Sequence, residues 1–365
     1  MRRSIYLRPV GFIAHRRDGE DGQVWGGIPL AGGPVAFTAL EIAERQGTSV
    51  ERRVCSLSEF FERDWGRRTL AASDLFEALR LPRGRIAGLS MDRPRIMGIV
   101  NVTPDSFSDG GSFDSVQAAV DHALRLEEEG AEILDIGGES TRPGSETVPY
   151  EEELRRVLPV LEALRDKTDA LISVDTRKGR VMLAAAEAGA DILNDVSALT
   201  YDPEALQIAS ETGLPIMLMH AQGDQNTMNE NPQYGDVVLD VFDFLERRVH
   251  ACEGAGIPRE KLIVDPGIGF GKHLHHNVAV LSSMSLFHTL GVPVLLGASR
   301  KKLIGQLCNV EDPKARVPGS IAAALSAVAQ GVQIVRVHDV AATRQALSVW
   351  MAALLGNEIE APSGL

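Results

Sequence analysis

The segment Asn101-Val-Thr-Pro-Asp-Ser-Phe-Ser-Asp-Gly-Gly111 follows a short apolar run and carries two aspartates, two serines, a threonine and a Gly-Gly end. Those residue types suit a loop that moves and binds better than one that fills a core. Seven further apolar runs also lead into polar or charged groups. They carry Asp135, with Thr141-Arg142-Pro143 shortly after it; Asp175 and Lys178; Asn194-Asp195; Met219-His220; Asp265, with Phe270-Gly-Lys272 after it; Ser299-Arg300-Lys301-Lys302; and Arg336-Val-His338-Asp339. One polar end is a strand meeting water. Eight are hard to attribute to solubility, because unpaired charge at the end of a central parallel strand is costly.

The signs of charge indicate what would bind. Arg142, Lys178, Lys272, Arg300, Lys301, Arg336 and His338 would gather into a basic cluster on a chain of net charge −13. Arg grips phosphate through two donors and Lys as a point charge. Asp135, Asp175 and Asp265 would accept paired hydrogen bonds from a flat heterocycle, with Asn194 offering both a donor and an acceptor. The expected ligand combines a polar heterocycle with a phosphate or diphosphate. The competing account is that the bases only neutralise Asp135, Asp175 and Asp265. Gly267–Lys272 lacks the Walker spacing. His273, His275 and His276 have no carboxylate or cysteine at matching spacing and read as a solvated helix start.

Alternating β and α elements would position these groups. The eight runs are Ile96–Val102, Glu132–Gly138, Ala170–Thr176, Asp191–Val196, Pro215–His220, Leu262–Ile268, Pro293–Ser299 and Ile334–Val340. Helical patterns between them include Ser115–Glu129, Tyr150–Arg165, Lys178–Ala188, Asp236–Glu253 and Gly319–Gln330, and Gly130, Gly189 and Gly331 stand where helices should end. Eight such units predict an α/β fold, a (β/α)₈ TIM barrel with the polar strand ends at its mouth. An open doubly wound sheet is the alternative. Residues two apart share a strand face, so Arg336 and His338 point together, as do Ile133 and Asp135.

Residues 1–92 read as a small mixed α/β extension, residues 93–357 as the barrel and 358–365 as a tail. The extension shows a strand at Ser4–Ile13, a Gly-rich apolar stretch at Gly26–Phe37, and helices at Thr38–Arg45 and Ser56–Asp64, the latter opened by a capping box. Arg85–Met91 is a strand or a linker. An ordered module packed on the barrel or on a partner subunit is expected.

The acidic balance argues against nucleic acid and anionic membranes as partners. Cys55, Cys252 and Cys308 are scattered, which supports neither zinc nor a disulfide framework. His15-Arg-Arg interrupts any leader-like apolar stretch, and no apolar run reaches the roughly 18 residues of a membrane span. A cytoplasmic protein is expected.

Residues 94–356 resemble the dihydropteroate synthases, the folate-pathway sulfonamide targets. The resemblance rests on five blocks in order: Asn101–Gly111, Asp135-Ile-Gly-Gly-Glu-Ser-Thr-Arg-Pro-Gly144, Asp265–Lys272, Ser299-Arg-Lys301 and Arg336-Val-His-Asp-Val340. It implies a homodimeric transferase that condenses 6-hydroxymethyl-7,8-dihydropterin diphosphate with 4-aminobenzoate and releases diphosphate. It further implies that Asp135, Asp175, Asn194, Met219, Asp265 and Lys301 form the pterin site. Arg142, Arg336 and His338 would hold the diphosphate, and Asn101 would ligate a Mg²⁺ bound to it. Phe107, Thr141, Pro143, Phe270 and Lys302 would shape the 4-aminobenzoate site. Asp109, Thr141, Arg142 and Lys301 would serve the reacting centre, with the loops Thr103–Gly111 and Ser140–Ser145 closing over it. Lys302 and Ala221 depart from the family's commoner small residue and Met, and the extension exceeds the usual N-terminus. Two rivals stay open, a methyltetrahydrofolate-dependent methyltransferase on the same barrel and a non-catalytic pterin-binding relative. The diphosphate groups argue against the first, and the intact motifs against the second.

Overall fold

All eight apolar runs form strands in the computed structural model, which describes residues 5–15, 27–102, 113–140, 147–223, 228 and 230–356. Four strands come earlier: β1 (Ile5–Ala14), β2 (Ile28–Pro29), β3 (Val35–Gln46) and β4 (Ser49–Ser56), followed by α1 (Leu57–Glu62) and α2 (Thr69–Arg80). The barrel strands are β5 (Arg95–Asn101), β6 (Ile133–Gly137), β7 (Leu171–Asp175), β8 (Ile192–Asp195), β9 (Ile216–Met219), β10 (Leu262–Asp265), β11 (Leu295–Leu296) and β12 (Ile334–Val337). The helices among and after them are α3 (Phe113–Glu128), α4 (Tyr150–Arg165), α5 (Gly179–Glu187), α6 (Ala205–Thr212), α7 (Val237–Gly254), α8 (Leu274–Leu281), α9 (Lys302–Cys308), α10 (Val317–Val328) and α11 (Val340–Leu355).

The parallel sheet runs β10-β9-β8-β7-β6-β5-β12-β11. It closes where Val264 bridges Val294 and the Val264 N–H donates to the Pro293 carbonyl at 3.0 Å. This is the expected (β/α)₈ barrel. The strand period of two sorts its side chains. Met97, Ile133, Ile192, Met217, Ile263 and Ile334 pack together inside the barrel, while Leu134, Ile136, Ile172, Val174 and Val335 belong to a separate core that includes residues of the surrounding helices. The inward position two residues further along brings Asp135, Asn194 and Arg336 above that apolar layer. The polar strand ends are therefore the upper storey of a filled barrel.

The extension follows the same physics with one correction. Thr38–Arg45, expected as a helix, lies within β3. Its Ala, Leu, Glu and Arg residues favour helix by only a few tenths of a kcal/mol each. Pairing with β1 on one side and β4 on the other satisfies both edges of its backbone, and seats Leu40 and Ile42 against Phe60, Leu75 and Phe76. Strand β4 and helix α2 were not anticipated. The capping box at Ser56 is present, with the Glu59 N–H on Ser56 Oγ and the Ser56 N–H on Glu59.

The module sits on its own barrel. Tyr6 Oη donates to Asp243 of α7 at 2.9 Å, and Arg45 forks onto Asp240 and Asp243 at 2.8 and 3.1 Å. Ser285 Oγ donates to the Pro9 carbonyl at 2.9 Å, and Arg83 to the His288 carbonyl at 2.8 Å. The stretch Arg85–Met91 is a linker folded on itself. The Ile86 and Leu89 backbones exchange hydrogen bonds at 2.9 and 2.8 Å around Ala87 and Gly88, both at positive φ. This turn brings Ile86 and Met91 into the interior apolar cluster, plugging the barrel floor.

Candidate active site at the barrel mouth

Asp135 on β6 is fully buried, so its charge must be met inside the protein. Ser173 Oγ donates to Oδ1 at 2.7 Å, Asn194 Nδ2 lies 3.3 Å from Oδ2, and Arg336 Nε donates to Oδ2 at 2.6 Å. The other arm of the same guanidinium donates to Asp175 Oδ2 at 2.9 Å. One arginine from β12 thus joins acids from β6 and β7. Asp175 Oδ1 is buried with no partner among the described residues. Burial drives the Asp175 carboxyl well above the ordinary carboxylate range, against the pull of Arg336 and with help from Asp135, Glu153 and Asp195. A buried orphan acceptor at a barrel mouth is a place for a ligand's N–H. Asn194 uses its nitrogen on Asp135, which leaves its oxygen as a second acceptor.

Asp265 ends β10. Its Oδ1 accepts the Gly267 N–H at 2.7 Å, and burial again raises its carboxyl, with Lys301 opposing. Lys301 Nζ donates to the Ile268 carbonyl at 2.6 Å and stands 4.5 Å from the centre of the Phe270 ring. Burial pushes its ammonium down to about 8, with Asp265 resisting. Gly297 lies beside both, since a Cβ there would stand at ordinary contact distance, 3.5 Å from Asp265 Oδ2 and 3.8 Å from Lys301 Nζ. Gly267 has φ +71°, and a Cβ on it would meet the His220 carbonyl at 1.9 Å. Only glycine lets the loop after β10 lie this close to the end of β9, where Met219 is buried.

Asn101 is half-buried at the tip of β5 and in register with Gly137, which is in register with Asp175. His338, just past β12, has Nδ1 3.1 Å from Ser299 Oγ. Phe270 is half-buried, and Lys302 is exposed at the first turn of α9. Phe107, Asp109, Thr141, Arg142 and Pro143 lie outside the described residues, as do the loop residues 103–111 and 141–145.

The basic cluster is smaller than its sequence suggests. Lys178 is pinned between Glu139, at 2.6 Å, and Glu153. Arg300 forks onto Asp339. Lys272 is buried among the His220 ring and the Gly267 and Phe270 carbonyls, and burial holds its ammonium well below the usual lysine range. The ring and the two carbonyls occupy its ammonium, so it braces the loop. Arg336 pairs with Asp135 and Asp175, as the competing account required of it. His273 and His276 form a side-chain cap on α8, which agrees with a helix start, and no cluster of three or more His, Cys, Asp or Glu fit to hold a metal occurs among the described residues.

Sequence reasoning assigned no role to Ser173, Ser299 or Glu139. Ser173 was findable by parity, because it shares the inward face of β7 with Asp175. Glu139 is buried and accepts from Arg177, Lys178 and the Val148 N–H, so a carboxylate that precedes 141–146 is tied to Val148 just after them. Nothing local marks it.

The mouth therefore offers buried acceptors on the floor, an ammonium and an aromatic ring on one wall, and a guanidinium and an imidazole on another. A family model described as "Pterin binding enzyme" matches residues 97–338 of the chain. The chain belongs to the pterin-binding enzyme family. Among members of that family, it is 50% identical to a dihydropteroate synthase of Escherichia coli strain K12 over 270 residues, covering 74% of this chain and 95% of that protein. A solved Xanthomonas albilineans dihydropteroate synthase with 4-aminobenzoic acid is 54% identical, with a TM-score of 0.69, over 73% of this chain and 96% of that one. A Yersinia pestis dihydropteroate synthase solved as a sulfonamide drug complex is 48% identical, with a TM-score of 0.69 and the same coverage. The family match begins at residue 97, so the extension lies outside it.

Proposed function

We infer that this pterin-binding enzyme is a transferase that makes 7,8-dihydropteroate, joining 6-hydroxymethyl-7,8-dihydropterin diphosphate to 4-aminobenzoate and releasing diphosphate. The carrying observation is the Asp135–Arg336–Asp175 bridge with its orphaned Asp175 oxygen, on a barrel half identical to the Escherichia coli synthase. The pterin's N–H groups suit Asp175, Asn194 and Asp265. Lys301 supplies a donor to the ring edge, Met219 packs beside it, and Asp135 holds Arg336 in place.

The chemistry asks for charge neutralisation more than for a base. The bond from the methylene carbon to the diphosphate oxygen breaks, and its electron pair leaves with the diphosphate. The electron-rich dihydropterin stabilises the cationic carbon. The aryl amine lone pair then forms the C–N bond, and its proton is lost to solvent. Arg336, His338 and Arg142 meet the leaving charge. Phe107, Thr141, Pro143, Phe270 and Lys302 shape the aminobenzoate site, Asp109 and Thr141 serve the reacting centre, and water is kept from the carbon. Mg²⁺, when bound with the diphosphate, neutralises the leaving group further. Asn101 offers one neutral oxygen, which fits an ion carried mainly by the diphosphate's own oxygens.

Purified protein given the pterin diphosphate, 4-aminobenzoate and Mg²⁺ is expected to yield dihydropteroate and diphosphate, and a metal chelator to stop it. A sulfonamide should compete with 4-aminobenzoate. Ligand binding without product would sink the synthase reading, and full activity in chelator would sink the role of the metal.

A homodimer is part of the same reading. Val278, Leu307 and Val349 are 39, 58 and 66% exposed on α8, α9 and α11, which surround α10. Exposed apolar side chains on neighbouring helices are suited to a second copy. Light scattering is expected to give twice the chain mass, and the mass of one chain would remove the dimer. The free thiols Cys55, Cys252 and Cys308 suit a cytoplasmic setting.

A further inference from the structure

Ser299 stands behind His338 and has a role of its own. Its Oγ lies 3.2 Å from the His338 backbone nitrogen and 3.1 Å from Nδ1 of the same residue. The backbone N–H can only donate, so it occupies one lone pair of the hydroxyl. Ser299 is 7% exposed, so the hydroxyl proton needs an acceptor within the protein. Among the described residues, Nδ1 is the acceptor in reach. A hydroxyl that donates to Nδ1 requires that nitrogen to be bare, which puts the ring proton of a neutral imidazole on Nε2.

We propose that Ser299 is a positioning residue that fixes His338 as its Nε2–H tautomer, so that the ring presents an N–H donor to a diphosphate oxygen. The frame around it is stiff. The next residue on each side is paired as well, with the Arg300 guanidinium forked onto Asp339. Arg300 holds φ +58°, uncommon for a side-chain-bearing residue, and its N–H is fixed by Ser320 Oγ at 2.9 Å. Two adjacent pairs thus lace the end of β11 to the end of β12. The opposite tautomer would aim a lone pair at an anion and repel it. The tautomer itself stands on geometry alone, and its use rests on the reading that His338 receives the diphosphate.

The test has two arms. Long-range proton–nitrogen NMR of the full chain, labelled with ¹⁵N-histidine and free of substrate, reports which ring nitrogen is protonated, with the His338 signals identified by their loss in His338→Asn. A proton on Nε2 and a bare Nδ1 near neutral pH is expected. A proton on Nδ1, alone or in an imidazolium, overturns the proposal. In the second arm, Ser299→Ala is expected to lower kcat/KM for the pterin diphosphate roughly tenfold, mostly through KM, with Ser299→Thr restoring it. Unchanged kinetics in Ser299→Ala would overturn the positioning role. If Ser299→Ala does not fold, the wild-type spectrum and Ser299→Thr still decide. An Nε2–H imidazole in a wild-type chain that makes no dihydropteroate supports the tautomer and defeats the synthase reading instead.

Discussion

Arg336→Ala is expected to lower turnover by at least about a hundredfold and to destabilise the fold by about 3–5 kcal/mol. Both losses come from one guanidinium. It neutralises the fully buried Asp135, and its removal strands that charge with, among the described residues, the polar groups of Ser173 and Asn194 beside it. It also takes from Asp175 Oδ2 the donor that Arg336 supplies. Arg336→Lys keeps the charge but loses the fork, and should fall between the two. Adding Asp135→Asn to Arg336→Ala removes the stranded charge, so stability should recover in part while turnover stays low. Denaturant titrations and steady-state rates check all three. A stable, active Arg336→Ala would mean that the bridge serves neither the fold nor the chemistry.

Asp175→Asn should separate the two effects, cutting turnover by about a hundredfold while leaving the protein as stable as before or more so. The folded carboxyl titrates far above its unfolded value, chiefly through burial. A raised folded value means that the native state holds this proton more tightly. The resulting stability is fully present below about pH 4 and is lost as pH rises through the folded value. Above the folded value of about 8, the ionised side chain is thus a cost to stability. Asparagine keeps an oxygen for Arg336 and does not titrate. Unfolding titrations in steps from pH 5 to pH 9 should show a flatter profile for the variant. The idea fails if Asp175→Asn is less stable than the parent throughout, or if it turns over normally.

The barrel was legible because its signals are local. Alternation along each strand placed Asp135, Asn194 and Arg336 on the inward face, and Gly130, Gly189 and Gly331 do take the positive φ of helix ends. Helix α4 even begins at Tyr150 and ends at Arg165 as its pattern indicates. The misreadings came where distant residues decide. Nothing within Thr38–Arg45 announces that β1 and β4 will flank it. Charge is visible in sequence but its partner is not, so Lys178, Lys272 and Arg300 looked like ligand groups. Glu139 with Glu153, a ring of carbonyls, and Asp339 respectively claim them in the folded chain. Serine hydroxyls carry still less signal, and the value of Ser299 emerges only once two neighbouring strand ends are laid side by side.

Asp135 and Arg336 are 201 residues apart. On the ribosome, the acid is therefore made long before the base that neutralises it. Until the last strand emerges, sealing Asp135 into a growing barrel would trap a charge with no counterion, a penalty of several kcal/mol. Early collapse of the interior is discouraged, and the inner face of β6 stays wet while the chain lengthens. The same pair that assembles the pocket thus acts as a clock on synthesis. Interior packing waits for the strand that also leads into His338, so a barrel that has dried out already holds both Arg336 and His338.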